Sequence, residues 1–165
     1  MTTMKFIDRS CSKSHDAWQL LPDSEIAGPA PHRLLTLVQW QAVRESWPGD
    51  VPVGVLVPNT EDVETLAADL PRIALVALEF PKWVDGRAYS QAHVLRARLR
   101  YAGEVRATGD VLVDMMPLLQ RTGFDAVVLK DGQRQSSAER ALGFFGAYYQ
   151  GDVLQPQPHF DREAA

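Results

Sequence analysis

Cysteine is almost missing from this chain: Cys11 is the only one among 165 residues. A single thiol excludes an intrachain disulfide, a CxxC redox or metal pair, and an iron–sulfur cluster held by this chain alone. Such scarcity fits a reducing compartment. The opening MTTMKFIDRSCSKSHDAW lacks the apolar core of a signal peptide. Long hydrophobic runs are missing too. The longest aliphatic stretch, Ile73 to Leu78, falls far short of the ~20 residues that a membrane-spanning helix needs. A cytoplasmic protein with no membrane partner is therefore expected.

Lysine is scarce as well, four against thirteen arginines. Coding bias explains much of such an imbalance, yet a planar guanidinium is also the side chain that grips oxyanions through two parallel bonds. The net charge is −4 and the isoelectric point about 5.5. That balance argues against a nucleic-acid partner and leaves a local anion site open. No GxGxxG follows a strand, and GxxxxGK[ST], HExxH and GxSxG are all absent. His15, His32, His93 and His159 are scattered, none at ligand spacing from another. No cofactor and no metal are expected.

What is present fits one domain with a real core: 45% apolar and 23% charged residues. Residues 1–32 read as a polar N-terminal extension, 33–150 as an α/β core and 151–165 as a frayed tail. Within the extension, 17–21 is a possible short strand. From Leu34 a helical stripe of Leu34, Leu37, Val38 and Gln41 runs toward Pro48-Gly49. Val53–Val57 reads as a strand, then a helix over 63–70. Ile73–Leu78 is apolar on both parities, as a strand covered on both faces should be. A helix over 89–99, a strand over 104–108, a helix within 110–122, a strand over 125–129 and a helix from Ser136 or Ser137 to Tyr149 complete the pattern. Alternating strands and helices mean parallel strands joined by right-handed crossovers. The fold class is α/β, with a mainly parallel open sheet or half-barrel.

Ligands of parallel sheets bind beyond the carboxyl ends of the strands. Asn59, Glu79, Asp85, Arg87, Ser90, Asp110 and Lys130 should converge there. Arg106 sits mid-strand; if it points inward it must be paired, with Glu79 or Asp110 as the natural partner. One reading makes Arg87, Tyr89, Ser90, Arg106 and Lys130 ligands of a small anion, with Asp85 or Asp110 as acid or base. The other makes the same block an ion-pair and capping network. Pro117 belongs either to a kinked helix begun at Asp110 or to the first turn of one begun at Asp114. Phe144-Phe145 and Tyr148-Tyr149 would form an aromatic face on the last helix. Cys11 reads as a surface thiol.

Three segments, FPKWVDGRAYSQAHVLRARL (80–99), YAGEVRATGDVLVDMM (101–116) and RTGFDAV (121–127), resemble a bacterial family labelled as oxidoreductases of sulfite reduction. Genes of that family commonly sit beside the gene of the sulfite or nitrite reductase haemoprotein. Thr122 stands where the family usually has a cysteine. The resemblance implies an accessory protein of assimilatory sulfite reduction, binding the reductase haemoprotein or its anionic substrate through the Arg-rich site. The alternatives are a small oxyanion-handling enzyme and a structural interaction module.

Overall fold

The computed structural model describes residues 2–7, 10–13, 16–145 and 148–158. His15, His159 and the Cys11 side chain lie outside what is described. Strands are β1 (Thr2–Ile7), β2 (Ser10–Lys13), β3 (Gln19–Leu20), β4 (Arg33–Thr36), β5 (Val53–Val57), β6 (Ile73–Phe80), β7 (Glu104–Gly109) and β8 (Ala126–Leu129). The α-helices are α1 (Leu37–Val43), α2 (Arg87–His93), α3 (Met116–Thr122) and α4 (Gln135–Leu142).

The strands form one sheet in the order β2-β1-β8-β7-β6-β5-β4-β3. From β3 to β8 every neighbouring pair is parallel, and β1 runs antiparallel to both β8 and β2. Successive parallel strands are added in one direction, so right-handed crossovers place the connecting helices on one face. Val55, Val76, Leu78, Val105 and Val127 on that face share a core with Trp40, Leu66, Leu95 and Leu119.

Covalent reach shows how far the sheet is curled. Lys13 ends one edge strand and Gln19 begins the other. Six residues span at most ~21 Å. Seven inter-strand steps across a flat sheet would need ~34 Å. The edges must therefore approach, and the sheet is a half-barrel, mostly parallel, with helices between its strands.

Residues 16–18 lie over the inner, concave face. A Cβ on Gly54 would stand 3.1 Å from the Trp18 ring, so glycine there admits the indole against the sheet. This covering explains why β6 is apolar on both parities: Leu75 and Ala77 point inward and are as buried as Val76 and Leu78.

Several elements differ from the sequence reading. Residues 33–36 are strand rather than helix, because they pair with β5 before α1 begins. Thr36 accepts from the Gln39 N–H, and Gln39 returns the bond, a capping box that marks the true start. The expected helix over 63–70 is a 3-10 turn at Val63–Leu66, capped by Asp62, and a second at Leu70–Arg72. Pro117 sits in the first turn of α3, the second of its two expected arrangements. The last helix stops at Leu142, so the aromatic residues beyond it are not on a helix. β3 matches the strand expected within 17–21.

Gly109 closes β7 at φ +93°, and an added Cβ would lie 2.4 Å from the Phe80 carbonyl oxygen. Gly132 has φ +86° with open space around it. Gly132→Ala is expected to cost about 1 kcal/mol, the left-handed penalty alone. Gly109→Ala should cost ~3 kcal/mol or more, because backbone must also move. Urea denaturation of the two variants checks the difference; equal losses would contradict it.

Candidate functional site

The carboxyl ends of the parallel strands carry a connected polar edge. Pro58 and Asn59 follow β5, the 82–86 loop follows β6, Asp110 follows β7 and Lys130 follows β8. Asp85 takes a forked pair of bonds from Arg87, 3.0 Å from Nε and 2.6 Å from Nη2, and also accepts the Arg87 N–H at the start of α2. Arg87 first and Asn59 second hold the Asp85 carboxyl far below the usual carboxylate range. Asn59 is buried, and its Nδ2 makes no hydrogen bond of ordinary geometry. Gln91 is buried beside it and donates from Nε2 to the carbonyls of Pro58 (2.9 Å) and Glu61 (2.7 Å).

Asp110 pairs with Lys130 at 2.6 Å and accepts the Trp83 N–H at 3.1 Å, which ties the 82–86 loop to the end of β7. Lys130, then that backbone donor, holds its carboxyl low. Both candidate acid/base carboxylates thus stay ionised through the neutral range. A general acid or base working there needs the opposite displacement.

Three other candidates take no part in these ion pairs. Tyr89 is half-buried, its ring 5.1 Å from Phe80 and 6.3 Å from Phe124, and burial pushes its phenol up to about 12. Its ring is part of the packing under the end of β6. Ser90 is exposed on α2. Arg106 points to the inner face and is 3% exposed. Its partners are Asp16 at 2.8 Å and Glu104 at 2.6 Å, rather than Glu79 or Asp110. Lys5 joins Glu104 at 2.9 Å, and the Thr3 hydroxyl donates to Asp16 at 3.0 Å. The edge therefore brings together Asn59, Asp85, Arg87, Asp110 and Lys130, and leaves Arg106 in a separate clamp.

A second guanidinium cluster escaped the sequence reading. Arg96 lies in the π-helical turn Val94–Arg98 that continues α2. It donates to the carbonyls of Gly123 (2.9 Å), Tyr101 and Gly103 (2.9 Å), and pairs with the Asp125 carboxylate. Gly123 has φ +101°, and a Cβ there would stand 2.5 Å from the Arg96 Cγ. Glycine in RTGFD is thus required twice, as the α3 cap and as room for this side chain. Burial pushes the Asp125 carboxyl up, against the Val105 N–H and Arg96.

Three cavities of about 410, 880 and 370 Å³ lie elsewhere, toward the C-terminal segment and the amino ends of the strands. None is lined by Asp85, Arg87, Tyr89, Ser90, Arg106, Asp110 or Lys130. Among the described residues no three His, Cys, Asp or Glu side chains cluster as a metal site, and no helix is long and apolar enough to cross a membrane.

Residues 54–160 match a family described as a bacterial protein of unknown function, DUF934. The chain belongs to this family. No curated protein and no solved structure matches it. The matched span of this DUF934 protein runs from β5 through the polar edge and the Arg96 cluster to the C-terminal segment. Asp16 and Trp18, which cover the inner face, lie outside it.

Proposed function

We propose that this protein is an accessory protein of assimilatory sulfite reduction, acting by docking to the reductase haemoprotein. The pathway comes from the resemblance of residues 80–99, 101–116 and 121–127. The docking mode rests on one observation. The cations of the polar edge are already matched by carboxylates, while large apolar side chains stand exposed. A small oxyanion would have to displace Asp85 from Arg87 and Asp110 from Lys130. By contrast Phe144 and Phe145 are 79% and 53% exposed and meet edge to face with centroids 5.4 Å apart, with Tyr149 74% exposed and Leu154 62% exposed nearby in sequence. Exposed apolar groups gathered in this way mark interaction surfaces. Handling of the anionic substrate and catalysis by Asp85 or Asp110 are the weaker forms of the reading, since both carboxylates are locked in ion pairs.

Affinity-tagged protein purified from its native host tests the proposal. Mass spectrometry should recover the reductase haemoprotein, and the double substitution Phe144→Ser, Phe145→Ser should reduce that recovery about tenfold or more, as loss of aromatic anchors does. Consistent recovery of unrelated proteins, with no reductase, would sink it.

A further inference from the structure

Residues 148–158 lie against the core without entering it. None of them is buried. Cavities of about 410 and 880 Å³ border the segment, and Asp152 lines both. Protein interiors hold few voids larger than a water molecule, so a segment between two such spaces is thinly packed. Four of its contacts with the core meet at one residue of α3. Arg121 donates from Nε to the Asp152 carboxylate (3.2 Å) and from Nη2 to the Gln150 carbonyl (3.2 Å). The same guanidinium lies 4.0 Å from the centre of the Tyr148 ring, and the Arg121 carbonyl accepts the Val153 N–H at 3.3 Å. Within the segment Asp152 accepts the N–H groups of Leu154 (2.9 Å) and Gln155 (2.7 Å). A locally ordered turn is thus gripped by a side chain whose bonds water can replace. Elements with few buried apolar contacts open at a small fraction of the global unfolding free energy.

The space under the segment is aromatic and continuous with the exposed rings. Phe124, 3% exposed, and Phe6 line the 410 Å³ cavity together with Tyr148. Tyr148 stands 5.9 Å from Phe145, which in turn meets Phe144. The row of rings therefore runs from solvent to the cavity, and residues 148–158 close its inner end.

We infer that residues 148–158 are a displaceable latch, released when a partner docks on Phe144 and Phe145. The trigger rests on the docking reading above; the latch itself does not. A partner shifts a two-state element toward whichever state offers it more contact. Closed, the row offers Phe144, Phe145 and Tyr148. Opened, it adds Phe124 and Phe6. The apolar area gained outweighs an ion pair near the surface. Docking and latching therefore oppose each other, and Arg121 sets the balance.

Hydrogen–deuterium exchange read by mass spectrometry tests the latch directly. In free wild-type protein, peptides covering 148–158 should exchange at least about tenfold faster than those of β6, which report the core. Arg121→Ala should speed exchange over 148–158 about tenfold again and leave β6 unchanged, which also shows that the variant is folded. Asp152→Ala should act alike from the other side of the contact. Exchange over 148–158 as slow as over β6, or indifferent to Arg121→Ala, overturns the latch. Added reductase haemoprotein should protect peptides containing Phe144 and Phe145 and speed exchange over 148–158. Arg121→Ala should raise the affinity for the reductase several-fold, since the closed state no longer competes. Slower exchange over 148–158 in the complex would mean that docking seals the segment, and overturns the release. If the reductase binds while exchange ignores Arg121, the latch falls and docking stands. If neither wild-type nor Arg121→Ala protein binds the reductase, the docking reading and the trigger fall, and exchange in the free protein alone decides the latch.

Discussion

Replacing Arg96 with alanine is expected to lower folding stability by about 3–5 kcal/mol, measured by urea denaturation. One side chain serves the carbonyls of Tyr101, Gly103 and Gly123 together with the Asp125 carboxylate. Those acceptors lie in the two loops that lead into β7 and β8, so the guanidinium ties neighbouring crossovers to each other. Arg96→Lys should recover little of the loss, because an ammonium cannot address carbonyls in several directions from one plane. Gly123→Ala should be nearly as harmful, since it combines a left-handed backbone with a Cβ pressed on Arg96. A loss under about 1 kcal/mol for Arg96→Ala would show that water replaces the guanidinium freely and that the cluster is ornamental.

Arg106→Ala should cost a smaller ~1–3 kcal/mol, because Asp16 loses its charged partner while Glu104 keeps Lys5. Asp16 gives this clamp a pH dependence. Burial pushes its carboxyl up, but the bond and charge of Arg106, the Trp18 N–H and the Thr3 hydroxyl outweigh that and hold it below its usual range. A depressed folded pKa stabilises fully above the unfolded value of about 3.9 and is lost as pH falls through the folded value. Wild-type protein should therefore lose stability on acidification below pH 4 more steeply than Asp16→Asn protein does. Parallel acid-unfolding curves for the two would remove Asp16 from the clamp. If instead Arg106→Ala leaves stability intact and abolishes protection by added sulfite or sulfate, the residue is an anion ligand after all.

The alternation of strands and helices was legible because β5, β6 and β8 are short, apolar and bounded by turn formers. Ile73–Leu78 even announced its double burial, with helices outside and the 16–18 segment inside. Leu34 misled because β4 runs into α1 without a linker, and the period changes from 2 to 3.6 inside one apolar run. The capping box at Thr36 and Gln39 was the signal that separates them. β1 alternates buried Met4 with exposed Lys5, a strand pattern whose significance depends on residues 126–129. The polar edge was partly readable, since Asp85, Arg87, Asp110 and Lys130 all follow strands. Arg106 was not, because its partner Asp16 lies ninety positions earlier in the chain. Arg96 was hidden for another reason: most of its partners are backbone carbonyls, which no side-chain motif records.

The placement of β1 sets the order in which this protein can be assembled. Lys5 sits opposite Ala126, so β1 needs a neighbour made some 120 residues after it. On a ribosome the β5–β7 units can pair as they emerge, each beside its predecessor. The β1–β2 hairpin must wait, and with it the strap that brings Asp16 to Arg106. Until then the inner face is bare, and Leu75 and Ala77 are open to any passing chain. Closure of so long a loop is slow relative to local pairing. Late, all-at-once protection of the inner face is what a nascent chain of this architecture must survive, and the window before it is when a chaperone would matter most.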